Sequence, residues 1–162
     1  MVGSDSSVVQ APVTSWPVGG AACTFCGIVA GTVAAHSVLD ESGVVAFLDV
    51  RPVFKGHVLV VPRVHRATLA DLAPAELRKV MAAVQRLSGA VETGLAAGGS
   101  WVSVNNRVSQ SVPHVHVHVV PRTKGDGLRG FFWPRTRYDD EADAADHAAR
   151  IRAALGAATS LS

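Results

Sequence analysis

A run of three alternating histidines is the feature of this sequence best suited to chemistry. His114, His116 and His118 alternate with valines between Pro113 and Pro121. β-Branched residues and flanking prolines favour a strand, whose side chains alternate between faces, so the three imidazoles are expected to share one face about 6.6 Å apart. Each imidazole can act as a base, nucleophile, proton donor or metal ligand near neutral pH. A strand that carries histidine by chance is the competing interpretation, and strict alternation of three of the seven histidines disfavours it.

A Cys-x-x-Cys pair, Cys23 and Cys26, is the second group with chemical potential. Such a pair is compatible with redox chemistry, with half of a zinc site, or with chance. No thioredoxin-like β-α-β pattern surrounds it, and a zinc site needs two more nitrogen or sulfur ligands. His65 and His114 are candidates for these ligands. The irregular spacing does not decide between the alternatives.

The segment that leads into the histidines, residues 104–111, is rich in amide and hydroxyl side chains. Such groups donate hydrogen bonds to anionic oxygens without a change of protonation state. An ordinary polar hairpin loop is the alternative, and the neighbouring imidazoles favour a phosphate or carboxylate site. The chain has no P-loop lysine motif, so a nucleotide site of that kind is not implied.

The elements that must position these residues follow from hydrophobic periodicity. Residues 1–21 lack periodicity and are rich in Ser, Gly and Pro, which predicts a flexible N-terminal arm before one domain at 22–162. Besides the histidine strand, we expect strands at 36–39, 44–48, 57–61 and 101–105, and helices at 74–93 and 138–155. This order predicts an α+β fold: a mainly antiparallel sheet of about five strands with one long inserted helix and a C-terminal helix.

Composition narrows the partners and the compartment. The formal net charge of the 162-residue chain is +2, which gives no electrostatic case for binding a nucleic-acid polymer. No apolar run approaches the roughly 20 residues needed to span a bilayer, and no secretory signal is evident, so no membrane partner is expected. Two closely spaced cysteines favour a reducing compartment, and we therefore expect a cytoplasmic protein.

The sequence resembles the histidine-triad (HIT) superfamily. The signature of that family is three histidines that alternate with hydrophobic residues, and it matches residues 114–120. Segments that precede the triad also match in order: FLDVRP at 47–52, GHVLVVPR at 56–63 with His65 after it, and QSV at 110–112. The resemblance covers roughly residues 23–133 and is nearest to the prokaryotic, zinc-bearing, Hint-like branch. It implies a HIT-like fold, a homodimer, and hydrolysis or transfer at the α-phosphate of a nucleotide.

The resemblance also implies roles for individual residues. Among the catalytic histidines His114, His116 and His118, the middle one is the nucleophile that forms a nucleotidyl-histidine intermediate. His118, with Gln110 and Ser111, holds the phosphate oxygens. The remaining nucleotide-binding positions are Asp49 at the ribose, Asn105 near the phosphate, and a base pocket made of Phe25, Ile28, Phe47 and Val50. For these four residues, plain core packing is the alternative.

Zinc-bearing members of the family hold the metal at positions that are all occupied by suitable residues here. The implied structural Zn²⁺ site has four protein ligands, Cys23, Cys26, His65 and His114. His57 matches a supporting histidine near the site. The chain departs from the family at Ser109, where glycine is frequent, and in a shorter loop before Gln110. Because these departures affect the surroundings of the α-phosphate, the sequence does not decide which leaving group the enzyme prefers.

Together these features predict an enzyme that cleaves at the α-phosphate of a nucleoside monophosphate conjugate, in the manner of a phosphoramidase. The alternatives are a dinucleoside polyphosphate hydrolase, a non-catalytic module that binds or senses a purine nucleotide, and a structural zinc protein of a larger assembly. The choice between adenine and guanine is left open. The basic and aromatic segment 124–138 is expected to cover the site or a dimer partner.

Overall fold

The computed structural model describes residues 23–128 and 138–159. Residues up to Asp126 belong to one compact unit and the C-terminal helix to a second. The predicted arm at 1–21 and the aromatic cluster at 131–134 lie outside the described residues. The elements in chain order are α1 Thr24–Val29, β1 Ser37–Glu41, β2 Val44–Leu48, β3 Val58–Pro62, a 3₁₀ helix Leu69–Asp71, α2 Pro74–Gly94, β4 Gly99–Val104, β5 Val117–Arg122 and α3 Glu141–Thr159.

The five strands form one antiparallel sheet in the order β1-β2-β3-β5-β4. The predicted α+β fold is therefore confirmed. The order places β5, which carries His118, between β3 and β4. In the register of the sheet, His118 faces Leu59 on one side and Ser103 on the other. The histidine segment thus leads into the interior of the sheet.

The sheet carries a core on each face. On one face α2 packs against alternate residues of β2, β3 and β5, such as Val60 and Val117. On the other face the intervening residues, such as Phe47 and Leu59, pack with Phe25 of α1. A strand covered on both faces needs apolar residues at every position, which is why β2 and β3 read as continuous apolar runs. The α1 face is the one that carries the triad histidines, since the ring of His116 lies 5.2 Å from that of Phe25.

Helix α2 spans one residue more than the predicted 74–93. Pro74 occupies its first turn, where the missing N–H is not needed, and the Glu76 carboxylate accepts a hydrogen bond of 2.8 Å from the Ala73 N–H. Its buried side chains recur with a helical period: Val80, Ala83, Val84, Leu87 and Val91. This apolar stripe fixes the helix on the sheet face opposite the histidines.

The predicted start of the histidine strand was wrong. Strand β5 begins at Val117, so His114 and His116 precede it. Pro113 has no N–H, the His114 N–H bonds locally to the Val112 carbonyl, and the Val115 N–H donates to the Arg66 carbonyl. The backbone of the segment before Val117 therefore does not continue the pairing of β5 with β3, whose last pair is Val60 with Val117. As a consequence the rings of His116 and His118 lie 4.9 Å apart rather than at the spacing of a regular strand.

Helix α3 begins at Glu141, three residues after the predicted start, and continues past the predicted end. The Asp140 carboxylate accepts a hydrogen bond of 2.8 Å from the Asp143 N–H, which satisfies one N–H of the first turn. Within the described ranges, no helix is both long and apolar enough to cross a membrane.

Candidate active site and metal site

A cavity of about 210 Å³ lies on the α1 face of the sheet. Its walls come from α1, from residues 33–35 after α1, and from residues 49–51 after β2. His116 and His118 line it together with Ser111. Most other lining side chains are apolar, so the cavity combines an apolar body with a group of polar side chains, as ligand sites do.

The hydrogen bonds of His116 determine which of its nitrogens is available for chemistry. His116 Nδ1 lies 2.8 Å from the backbone carbonyl of His114, and a carbonyl oxygen only accepts. Nδ1 therefore carries the proton, and Nε2 of the neutral ring keeps its lone pair. The side chain is buried, with 2% of its surface exposed, yet it lines the cavity. An imidazole held in this tautomer presents a nucleophile to a molecule in the cavity.

A relay of hydrogen bonds fixes the opposite tautomer in His118. The Val53 N–H donates to His57 Nδ1 over 3.2 Å, so the proton of neutral His57 is on Nε2. His57 Nε2 then donates to His118 Nδ1 over 3.0 Å. The proton of His118 must therefore lie on Nε2, a buried nitrogen that has no hydrogen-bond partner among the described residues. His118 thus presents an N–H donor beside the nucleophilic nitrogen of His116.

Burial keeps this relay neutral. Burial, together with the smaller effects of His116 and His57, lowers the pKa of His118 from 6.5 to about 4. Burial also lowers the pKa of His57, and this effect outweighs the opposing attraction of Asp49, whose Oδ2 lies 3.5 Å from His57 Nδ1. The Val53 N–H already occupies Nδ1, so His57 and Asp49 do not form a conventional ion pair at neutral pH. The Asp49 carboxylate is instead oriented by a 2.8 Å hydrogen bond from the Arg51 N–H.

The four predicted metal ligands form one cluster. Their ligand atoms, the two Sγ atoms and two imidazole nitrogens, all lie within 4.8 Å of one another. Cys23 Sγ lies 3.4 Å from His114 Nδ1, and Cys26 Sγ lies 3.4 Å from His65 Nδ1 and 3.6 Å from His114 Nδ1. Zinc bonds of about 2.3 Å to sulfur and about 2.0 Å to nitrogen place S and N about 3.5 Å apart in a tetrahedron. The donor set and its spacing therefore fit Zn²⁺.

The surroundings of His114 prepare it as a ligand and connect the two sites. His114 Nε2 donates to the Pro62 carbonyl over 2.9 Å, which leaves the Nδ1 lone pair directed at the cysteines. Burial raises the pKa of the Cys26 thiol, and the adjacent Cys23 raises it further, so a bound cation is needed to hold Cys26 as a thiolate at neutral pH. His114, whose ring faces the metal cluster, also supplies the backbone carbonyl that orients His116.

The structure brings most of the other predicted site residues to the cavity, but not all. Those that line it are Phe25, Ile28, Phe47, Asp49, Val50, Ser111, His116 and His118. Asn105 and Gln110 do not line it. The Gln110 amide is engaged elsewhere: Nε2 donates to the Ala67 carbonyl over 2.6 Å, and Oε1 accepts from the Arg107 N–H over 2.7 Å. The prediction that Gln110 holds a phosphate oxygen therefore gains no support from its position.

The loop around Gln110 has an unusual backbone. Arg107 and Ser109 have φ angles of +65° and +59°, in the left-handed region that side chains with a Cβ disfavour. The glycine that the family often has at position 109 suits this geometry, and the chain keeps the geometry with serine. Two hydrogen bonds to the segment after His65 hold the loop in place: Asn106 Oδ1 accepts from the Leu69 N–H, and Gln110 Nε2 donates to the Ala67 carbonyl.

Two parts of the cavity wall were not predicted from the sequence. Residues 33–35 form part of the wall, but they lie in an irregular segment without periodicity. Arg51 also lines the cavity, and its place in the segment Asp49-Val50-Arg51 was the only available signal. The role of His57 as donor to His118 depends on a contact between residues 61 positions apart, which no local pattern reveals.

Comparison with known proteins agrees with this geometry. The family model of the HIT domain matches residues 30–125, more than half of the chain. The chain belongs to the HIT family. A HIT relative, the adenosine 5'-monophosphoramidase of Candida albicans, is 28% identical over 125 residues, which cover 74% of this chain and 82% of the relative. The bis(5'-nucleosyl)-tetraphosphatase of Schizosaccharomyces pombe is 39% identical over 83 residues, 50% of this chain and 46% of that protein.

Solved HIT structures share the fold. A zinc-bound histidine triad family protein from Mycobacterium smegmatis is 34% identical, with a TM-score of 0.63, and the match covers 86% of this chain and 97% of that chain. The family therefore includes nucleotide hydrolases and at least one zinc-bound protein. Relatives of this chain thus include proteins named as nucleotide hydrolases.

Proposed function

We propose that this HIT protein hydrolyses or transfers the nucleotidyl group of a nucleoside monophosphate conjugate, as a phosphoramidase does. The observation that carries the proposal is the pair of opposite tautomers in the cavity. His116 offers a lone pair on Nε2, and His118 offers a proton on Nε2, with ring centroids 4.9 Å apart. A nucleophile next to a hydrogen-bond donor is what a phosphoryl group needs for attack at phosphorus and stabilisation of its oxygens.

The reaction would proceed in two displacements. In the first, His116 Nε2 forms a bond to the α-phosphorus while the bond from phosphorus to the leaving group breaks; the leaving group departs with that electron pair, and an amine takes up a proton from solvent. In the second, water attacks the phosphorus, the bond to Nε2 breaks with its electron pair returning to His116, the proton of water passes to solvent, and the nucleoside monophosphate is released. His118 Nε2–H donates to a non-bridging oxygen in both, and its neutral state at pH 7 follows from a pKa of about 4. Ser111, on the cavity wall, is a second donor to the phosphate.

The apolar part of the cavity would hold the base, and Asp49 would accept hydrogen bonds from the ribose. Phe25, Ile28, Phe47 and Val50 supply apolar surface on that part of the wall. The roles of Asn105 and Gln110 stay predictions, since neither lines the cavity. The homodimer and the cytoplasmic location likewise stay predictions.

We also propose that the cysteine and histidine cluster binds structural zinc. All four ligand positions would come from protein side chains, which leaves no open position for catalysis. Bound there, the metal would supply a crosslink between the α1 region, the segment after β3 and His114, two residues before His116. Zinc in the homologous Mycobacterium smegmatis protein supports this assignment.

A second candidate is hydrolysis of a dinucleoside polyphosphate, supported by the similarity to the Schizosaccharomyces pombe tetraphosphatase. The same histidines would serve, since both reactions start with attack on an α-phosphorus. Only the leaving group differs: an amine in one case and a nucleotide in the other. A substrate comparison therefore separates the two candidates.

The test measures AMP release from adenosine 5'-phosphoramidate and from diadenosine tetraphosphate. We expect wild type to release AMP from the phosphoramidate and His116→Ala to release none. His147→Ala is the matched control, because His147 is an exposed histidine of α3 and should leave the rate unchanged. Turnover of the tetraphosphate alone would replace the first candidate with the second. Nucleotide binding without turnover of either would leave the chain as a binding module.

A further inference from the structure

Arg51 stands out among the arginines of the first unit. Several others are paired with carboxylates: Arg63 with Asp40, Arg66 with Glu76, Arg86 with Glu41 and Arg122 with Asp126. None of the ion pairs found within residues 23–128 includes Arg51. Its side chain is exposed, yet it lines the cavity. An exposed guanidinium in the lining of a ligand cavity, without an ion-pair partner among the described residues, is available to a ligand.

The wall around Arg51 has few other groups that could recognise a base. His116, His118 and Ser111 belong to the phosphate end in the proposed function. Asp49 precedes Arg51 by two residues, and its carboxylate accepts hydrogen bonds only. Thr24 is the remaining polar side chain of the lining; its hydroxyl donates or accepts and does not select between bases. The other lining side chains are apolar and bind any flat ring.

The chemistry of the guanidinium then points to one base. A guanidinium has N–H donors in a fixed fork and accepts no hydrogen bonds. Guanine presents two acceptors side by side, O6 and N7, and arginine pairs with both. Adenine presents N7 beside an N6 amino group, a donor that faces the guanidinium unfavourably. We propose that Arg51 is a specificity-determining residue and that this chain prefers guanosine monophosphate conjugates over the adenosine equivalents.

This inference rests on the proposed function in one respect: it takes the cavity as the nucleotide site. The preference is expected in binding and KM rather than in kcat, because Arg51 is not among the groups that act on phosphorus in the proposed function. Since the side chain is exposed, we expect a ratio of about fivefold to tenfold in kcat/KM, the lower part of what a bidentate arginine-guanine pair gives.

The experiment compares guanosine and adenosine 5'-phosphoramidates as substrates of wild type and three variants. Wild type should favour guanosine, Arg51→Ala should lose the ratio, and Arg51→Gln should reverse it, because a glutamine amide matches N6 and N7 of adenine. Wild type and both Arg51 variants retain the backbone N–H that orients Asp49. Arg78→Ala, an exposed arginine of α2 away from the cavity, is the matched control and should keep the wild-type ratio.

Two outcomes would overturn the inference: equal kcat/KM for both substrates in wild type, or a ratio that Arg51→Ala preserves. Failure of the proposed function is a different result, namely no turnover of either substrate. In that case calorimetric titration with GMP and AMP still decides the inference. Tighter binding of GMP that is lost in Arg51→Ala supports it, whereas equal binding, or no binding of either nucleotide, overturns it.

Discussion

The neutral, partly buried His118 makes the stability of the fold sensitive to mild acid. The pKa of this side chain is about 4 in the folded chain and 6.5 ordinarily. Between pH 6.5 and about pH 4 the unfolded chain binds a proton that the folded chain does not. The free energy of unfolding is therefore fully retained above pH 6.5 and falls as the pH drops towards about 4. At about pH 4.5 the loss is about 2.5 kcal/mol, or about 1.5 kcal/mol after allowance for the partial exposure of the ring.

The matched variant for this test is His118→Asn. Its Oδ1 can accept the hydrogen bond that His57 Nε2 donates to His118 Nδ1, but the amide does not titrate. Urea unfolding of both proteins at about pH 7 and about pH 4.5 gives the two acid losses, and wild type should lose about 1.5 kcal/mol more than the variant. Titrations of groups that do not contact His118, and loss of metal, affect both proteins and cancel in the difference. His36→Asn, at an exposed site, should leave the wild-type loss unchanged. Equal losses in wild type and His118→Asn would refute the reasoning.

Three further predictions concern the metal cluster and the loop before the triad. Cys23→Ser should lower the zinc content measured by metal analysis and the melting temperature together, since metal binding contributes to folding; unchanged zinc content would contradict the four-ligand site. Gln110→Ala removes the bonds to Ala67 and Arg107 and should lower the free energy of unfolding by about 1–2 kcal/mol in urea titrations, and no loss would show that these bonds do not stabilise the loop. Ser109→Gly should raise it by up to about 1 kcal/mol, since the φ of +59° is strained for serine; a decrease would contradict that strain.

Local periodicity predicted much of the fold. Helix α2 followed from its apolar stripe and its Pro74 start, and β2 was predicted with the bounds that the structure has. The start of β5 could not be predicted in this way. The valines that alternate with the histidines suit a strand, but Pro113 and the bond from Val115 to the Arg66 carbonyl divert the backbone. Tertiary hydrogen bonds of this kind override a local pattern.

Part of the candidate site could likewise be predicted from the sequence, and part could not. The metal cluster could be anticipated because its residue types are rare and their chemistry is narrow, and the resemblance supplied their grouping. The direction of the Gln110 amide could not, because an amide serves a phosphate and a backbone carbonyl equally well. The tautomers of His116 and His118 depend on the carbonyl of His114 and on His57, so they become readable only once the chain is folded.

The central claim is that His116 Nε2 attacks phosphorus, and trapping the covalent intermediate tests it most directly. Wild-type protein would be mixed with adenosine 5'-phosphoramidate, quenched within one turnover and measured by intact mass spectrometry. A mass increase of one nucleotidyl group, located on His116 by peptide fragmentation and missing in His116→Ala, is the predicted result. AMP release without any adduct, or an adduct on another residue, would contradict the assignment of His116 as the nucleophile.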